Sequence, residues 1–372
     1  MWLDHFKLQL IEIPFKEPIK VGSEFITKKQ SLYLTLKFSN KKSGIGEISL
    51  LPGLIELTSE EATEEVNSFL IPLLKSNLKN LDLPLKELDL SNLFFNKLPK
   101  PKSKLSSPII FALESALLNW NKVTFPDNFE NLFPGTKGNF SIPVNDLLYP
   151  KDEKMDLKAS SFKIKIGRFN NNEVKNAEIS FIKKIAKELK KMSPGSQRIR
   201  LDGNRKFDLN SLKQYISLLD SDTLSQIEYL EEPLKDINQW KFFYKESEIG
   251  LGLDESIFDL EKQKISLPPG TKALILKPSV IGGISKYFTY LKWSLKKEIK
   301  VVISSTFESS LGLFTLSLLA SKEGKTPSGL NTYRYLDEST PSYLFKTFDG
   351  KMLIQKPSSL SFEAKEGNLP PL

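Results

Sequence analysis

The chain of 372 residues contains no cysteine and a single histidine, His5. Without thiols it has no disulfide framework, no zinc–thiolate site and no cysteine nucleophile, and the composition fits a reducing cytosol. With one imidazole, a histidine-based triad and a multi-histidine metal site are excluded. No apolar run approaches the length of a membrane span. The opening MWLDHFKLQLIEIPF alternates polar and apolar residues, unlike the basic-then-apolar layout of a secretory signal. A soluble, unprocessed, cytoplasmic protein with no membrane partner is expected. Any chemistry must fall to carboxylates and lysines.

What the chain does have is length enough for two structural units, or for one barrel with additions. Its apolar content of 40% suffices for a core, and 53 basic residues against 45 acidic ones leave a formal net charge of +8. That is a mixed surface with a modest imbalance, which does not indicate nucleic acid. Pairs such as Lys183-Lys184 and Lys190-Lys191 lie on amphipathic helical patterns without interleaved exposed aromatics, as solvated faces do.

Residues 6–13 and 32–38 read as half-buried strands of a hairpin or meander, closing at the turn over 41–46. A helix is predicted over 58–74, opened by a capping box of Thr58 and Glu61. Residues 75–106 are rich in Leu, Lys, Asn and Pro and predict short helices and loops. Residues 1–106 are therefore expected to form a small α+β domain. After an apolar helix over 109–120, strand candidates alternate with amphipathic helices: 140–145, 162–166, 199–202, 227–231, 251–254, 273–277, 301–305 and 330–335. Strand then helix, about eight times, predicts an α/β fold with a parallel sheet closed into a barrel over 107–336. An open doubly wound sheet is the alternative, against which no GxGxxG or GxxxxGKS loop follows any strand candidate. The polar, proline-containing tail, 337–372, is expected to pack back on the N-terminal domain.

The strand ends carry the chemical signal. In the stretch FKIKI at 162–166, Lys163 and Lys165 share one strand face. If that face is interior, desolvation and mutual repulsion should lower the pKa of at least one of them, and a neutral lysine is a usable base. Downstream strands end in Asp202, Glu231, Asp254 and Lys277, with Ser304 and Ser305 finishing the next. Each step is about one strand–helix unit, roughly 30 residues. In a barrel such residues arrive at one rim, where active sites are built. Three converging carboxylates repel unless a cation sits between them, and their hard oxygens suit Mg²⁺. Lysines on two sides of a metal would suit removal of a proton next to a carboxylate. Arg200, on the same strand face as Asp202, could hold a second anionic part of a substrate. Singly, any of these acids is more often a helix cap or a surface ion pair, and Glu232 and Glu255 read that way. Asn204 and Lys206 read as loop residues.

In order, KIK at 163–165, DGN at 202–204, LEEP at 230–233, LDES at 253–256 and LKP at 276–278 resemble the motifs of the enolase superfamily, in its muconate-lactonizing subgroup. The stretches GIGEISLLPG at 44–53 and ISSTFESSLG at 303–312 are similar to segments of its o-succinylbenzoate synthase family. The resemblance implies a modified (β/α)₇β TIM-type barrel with an α+β capping domain. It also implies one Mg²⁺, replaceable by Mn²⁺, on Asp202, Glu231 and Asp254. The implied reaction dehydrates 2-succinyl-6-hydroxy-2,4-cyclohexadiene-1-carboxylate to o-succinylbenzoate in menaquinone biosynthesis. Lys165 would take the α-proton and help hydroxide leave, Lys277 would stabilise the enediolate and ring, and Lys163 would keep Lys165 deprotonated. Ser304, Ser305 and Arg200 are the candidate substrate contacts. A substrate-closing loop is expected within 18–29.

Relatives with the same lysines and metal racemise N-succinylamino acids, an alternative that stays open. Dipeptide epimerisation is disfavoured because Ser304-Ser305-Thr306 offers no acidic pair for an ammonium group. A lysine-rich nucleic-acid-binding module is the reading from another class.

Overall fold

The computed structural model describes residues 2–21, 24–77, 105–150, 157–169, 171–192, 197–257, 266–339 and 343–355. The region 78–104, where short helices and loops are expected, lies outside them. The first three strands, β1 (Leu3–Val21), β2 (Glu24–Phe38) and β3 (Ser43–Leu50), form an antiparallel sheet in that order. The hairpin is longer than the apolar alternation alone suggests, since pairing continues from Leu3 opposite Phe38 out to Val21 opposite Glu24. The helix after it opens on the expected capping box: Thr58 accepts from the Glu61 amide and Glu61 from the Thr58 amide.

Both faces of β2 and β3 bury residues, for different reasons. One carries Leu32, Leu34, Leu36, Ile48 and Leu50 against the apolar Ser107–Thr124 helix. Contact there is backbone to backbone: a Cβ on Gly44 would lie 1.8 Å from the Ala116 carbonyl oxygen, and one on Gly46 1.9 Å from that of Ala112. The helix expected to open the barrel thus packs on the N-terminal sheet. The other face carries a buried polar row, Lys29, Ser31, Glu47 and Ser49.

Next in order come β4 (Phe140–Pro143), β5 (Asp146–Leu148), β6 (Ser161–Lys165), β7 (Arg198–Asp202), β8 (Ile227–Glu231), β9 (Leu251–Leu253), β10 (Thr271–Leu276) and β11 (Lys300–Ile303). β5 to β11 form one parallel sheet in sequential order. The eighth member is a two-residue link: Ser328 bridges Val144, at the entry to β5, and Gly329 bridges Ser304, beyond β11. The Gly329 amide donates to the Ile303 carbonyl at 2.7 Å and the Asn145 amide to that of Ser328 at 2.9 Å. The eighth strand expected at 330–335 is therefore displaced, and Asn331–Tyr335 is a 3₁₀ turn.

Of the candidate at 140–145, the first four residues leave the barrel. β4 pairs instead with a tail hairpin, β12 (Leu344–Phe348) and β13 (Lys351–Gln355), in the order β12-β13-β4. The tail touches the N-terminal sheet where Phe15 bridges Leu336 and the Asp337 amide reaches the Pro14 carbonyl. Residues 356–372 lie outside the described residues.

Strand parity sorts the barrel. Phe162, Ile164, Ile199 and Leu201 face outward into the main core. A separate inner cluster of Tyr229, Ala273, Ile275 and Val302 forms an apolar floor, and Gly252 leaves room there, since a Cβ would come within 2.7 Å of the Tyr229 ring. Residues two further along the same inward faces, Glu231, Lys277 and Ser304, therefore stand above that floor at the carboxyl ends of their strands.

Candidate active site at the carboxyl rim

β6 and β10 are separated by β7, β8 and β9 in the sheet order. In a ring of eight segments they face one another, and each intervening strand ends in one carboxylate. Register brings these together: Lys165 pairs with Asp202 and Asp202 with Glu231, while Asp254 follows the end of β9. All three acids are buried, at 1%, 2% and 8% exposure.

Lys163 Nζ lies between two of them, 2.8 Å from Asp202 Oδ2 and 2.6 Å from Glu231 Oε1. Lys165 Nζ donates to Asp202 Oδ2 at 3.0 Å and to Asn204 Oδ1 at 2.6 Å. On the far side, Lys277 Nζ donates to Asp254 Oδ2. The lysines part company electrostatically. Burial pulls all three down, but Asp202 and Glu231 more than restore Lys163, which ends well above the ordinary range. Lys277 is likewise raised by Asp254 and Glu255. Lys165 stays lowered, because the Lys163 ammonium and Arg168 add to burial against the single acid Asp202.

Burial would raise Asp202, yet Lys163 and Lys165 hold it well below the usual carboxylate range. Glu231 goes up through burial, with Asp202 and Asp254 adding repulsion that Lys163 only partly offsets. Asp254 goes up through burial and Glu255 despite Lys277. Among the described residues no three acidic or imidazole groups close tightly enough to form a metal cage by themselves. The lysine ammonium groups are the positive charge between the acids. Three buried, mutually repelling carboxylates on adjacent strand ends nevertheless suit a small divalent cation by donor type and charge.

Other expected residues are placed differently. Arg200 is 1% exposed and below the rim; its Nε donates to Glu228 at 2.8 Å, its Nη1 to the Pro327 carbonyl at 2.8 Å, and it lies over the Tyr229 ring. It ties β7 to β8 and to the closing link through two of its nitrogens, while Nη2 is buried without a hydrogen-bond partner among the described residues. Ser304 shares the inward face of Val302 and stands beside Gly329, whereas the Ser305 hydroxyl pairs with Thr332 on the other face.

Sequence reasoning missed Asn204, read as loop yet bonded to Lys165. Its φ of 41°, with 56° at Arg205 and 38° at Glu232, puts three non-glycine residues in the left-handed region beside the carboxylates, where strain concentrates at functional sites. The Asp-Gly-Asn spelling was the available signal, since Asn tolerates that conformation. Glu232, read as a cap, accepts from the Ser256 amide at 2.8 Å. Burial, with Glu255 adding to it, pushes its carboxyl up to about 8.

No family model matches the chain. It is 26% identical over 336 residues to the o-succinylbenzoate synthase of Pasteurella multocida (strain Pm70), an alignment spanning 89% of this chain and 90% of that protein. The enzyme of the same name from Aliivibrio fischeri (strain ATCC 700601 / ES114) is 26% identical over 344 residues, 90% of this chain and 94% of its own. Among solved structures, MenC from Desulfotalea psychrophila LSv54 superposes with a TM-score of 0.67 at 20% identity, covering 93% of this chain and 98% of that one. A member of the enolase superfamily from Listeria innocua does so with a TM-score of 0.70 at 19% identity, over 95% and 92%. The chain has the capped-barrel fold of the enolase superfamily and is a relative of the o-succinylbenzoate synthases.

Proposed function

We propose that this chain is an o-succinylbenzoate synthase, a carbon–oxygen lyase that removes water from 2-succinyl-6-hydroxy-2,4-cyclohexadiene-1-carboxylate. The observation that carries this reading is the placement of two half-buried amines, Lys165 and Lys277, on facing strands across three buried carboxylates. The near-full-length likeness to enzymes of that name supplies the substrate.

Lys165, kept toward neutrality by burial and by Lys163, takes the proton from the carbon bearing the ring carboxylate. The electron pair left behind expels the hydroxyl on the neighbouring carbon, and the Lys165 ammonium returns the proton to it. One water leaves, the ring becomes aromatic and the amine is regenerated. Because one residue serves both steps, proton and hydroxyl depart from the same face. Lys277, held cationic by Asp254, faces the ring from the other side as a cation against a π system. Asp202, Glu231 and Asp254 would hold one Mg²⁺, or Mn²⁺ in its place, which supplies positive charge to the carboxylate where negative charge grows. The organic partner is thus a small-molecule carboxylate.

The test follows o-succinylbenzoate by its aromatic absorbance. Product should form with Mg²⁺, cease with EDTA and resume on adding Mg²⁺ back. Absence of product in the presence of Mg²⁺ would overturn the reading. Hydrogen exchange of N-succinylphenylalanine in D₂O without such dehydration would assign the same lysines to a racemase.

A further inference from the structure

Glu47 in the stretch 44–53 and residues 306–312 of the stretch 303–312 have no part in the chemistry above, yet they are the two sides of one buried polar network. Glu47, fully buried on β3, accepts from five donors. Its Oε1 takes Lys29 Nζ at 3.1 Å and Ser31 Oγ at 2.7 Å. Its Oε2 takes the Ser309 amide at 2.9 Å, Ser309 Oγ at 2.6 Å and the Gly312 amide at 3.0 Å. The last three belong to the start of the Ser310–Glu323 helix, so a carboxylate from the N-terminal sheet caps a barrel helix. Glycine at 312 leaves room for the carboxylate, since a Cβ there would fall 2.5 Å from Glu47 Oε2.

Lys29 extends the network toward the rim. Its Nζ also donates to the Phe307 carbonyl at 2.6 Å, holding a residue whose φ of 57° is in the left-handed region and needs surrounding contacts to persist. The next residue, Glu308, accepts from the Thr306 amide at 2.7 Å and from Ser279 Oγ at 2.7 Å. Ser279 lies two positions after Lys277, whose carbonyl accepts from the Val280 amide at 2.8 Å and the Ile281 amide at 2.9 Å. A cavity of about 360 Å³ borders the same segment, lined by Leu54 and Leu57 from the loop after β3 and by Ser279 and Val280.

We propose that Glu47, with Lys29 as its counter-ion, is a positioning residue that latches the N-terminal sheet to the barrel and, through the 306–309 turn, Glu308 and Ser279, fixes the backbone that presents Lys277. A carboxylate buried only to stabilise the fold would not need a counter-ion that also grips the Phe307 turn. The kinetic arm of the test rests on the proposed dehydration; the exchange arm does not.

Wild type, Glu47→Gln and Ser279→Ala are compared at 25 °C. Glu47→Gln keeps the shape but strands the Lys29 charge, and kcat should fall by about 30-fold, the size of a small misplacement of a reacting group. Ser279→Ala removes one hydroxyl and should lower kcat by about tenfold with KM within about twofold. Hydrogen exchange without substrate, read on the peptide covering 278–285, should quicken by about tenfold in both, while β6 and β7 keep wild-type protection. Wild-type kcat in a folded Glu47→Gln, or unchanged exchange at 278–285, overturns the proposal. If Glu47→Gln does not fold, Ser279→Ala decides; if wild type does not dehydrate the substrate, the exchange arm decides alone.

Discussion

Three lysines share one inner surface, and what distinguishes them is the number of carboxylates each meets. Lys163 has two and Lys277 has Asp254 with Glu255 nearby, whereas Lys165 has Asp202 and two cationic neighbours. Environments that push like groups apart mark acid and base roles, so the lowered amine is the one suited to take a proton. Replacing Lys165 or Lys277 by alanine should cut o-succinylbenzoate formation by on the order of 10³-fold, the range for a positioned acid–base group. Circular dichroism should show both variants folded; appreciable turnover by either removes its role. These residues were legible because period-2 alternation puts Lys163 and Lys165 on one face and one carboxylate at each following strand end. Arg200 obeys the same parity, yet it lies deeper than the rim residues. Parity gives the face of a strand but not the depth, and two residues below Asp202 lies the floor, where Glu228 and the Pro327 carbonyl claim the guanidinium. Glu47 was visible only as part of a motif, since its partners in the barrel, Ser309 and Gly312, are more than two hundred residues away.

At the scale of elements, β3 shows how a short strand can decide a packing distance. Its two glycines let the strand lie directly on the Ser107–Thr124 helix, with no side chain between strand backbone and helix carbonyls. Gly46→Ala would drive a methyl group to 1.9 Å from the Ala112 carbonyl oxygen, and neither backbone can yield, because β2 holds one and helical hydrogen bonds the other. The variant should lose about 3 kcal/mol of stability, seen as a lower urea midpoint with an unchanged slope; a midpoint within error of wild type would mean the strand and helix can part. Elements with their own periodicity, β6 to β11 and the long helices, could be read from sequence to within a few residues. The eighth barrel segment could not, because closure is done by Ser328 and Gly329 alone, too few residues to show alternation. β4 failed for another reason: its alternating pattern is real, but its partner is a hairpin some two hundred residues downstream.

Across the whole molecule, the Ser107–Thr124 helix stands between the two halves, with β3 on one side and the Pro278–Ile281 and Gly283–Leu295 helices on another. At that junction Glu114 is fully buried and accepts from the Ser285 amide at 3.0 Å and from the Ser285 hydroxyl. Burial outweighs those bonds and pushes its carboxyl up from 4.5 to about 7. Between these values the folded chain keeps a proton that the unfolded chain has released, so stability declines as pH climbs through the interval. The contribution is fully present below about pH 4.5 and absent above about pH 7, a difference on the order of 3 kcal/mol. Glutamine can replace the protonated acid, accepting from the Ser285 amide and donating to its hydroxyl, and it does not ionise. Glu114→Gln should therefore melt close to wild type at pH 5 and above it at pH 8, flattening the pH dependence of thermal unfolding. Parallel curves for the two proteins from pH 5 to pH 8 would mean that the junction tolerates the carboxylate and that the acid-side stability arises elsewhere.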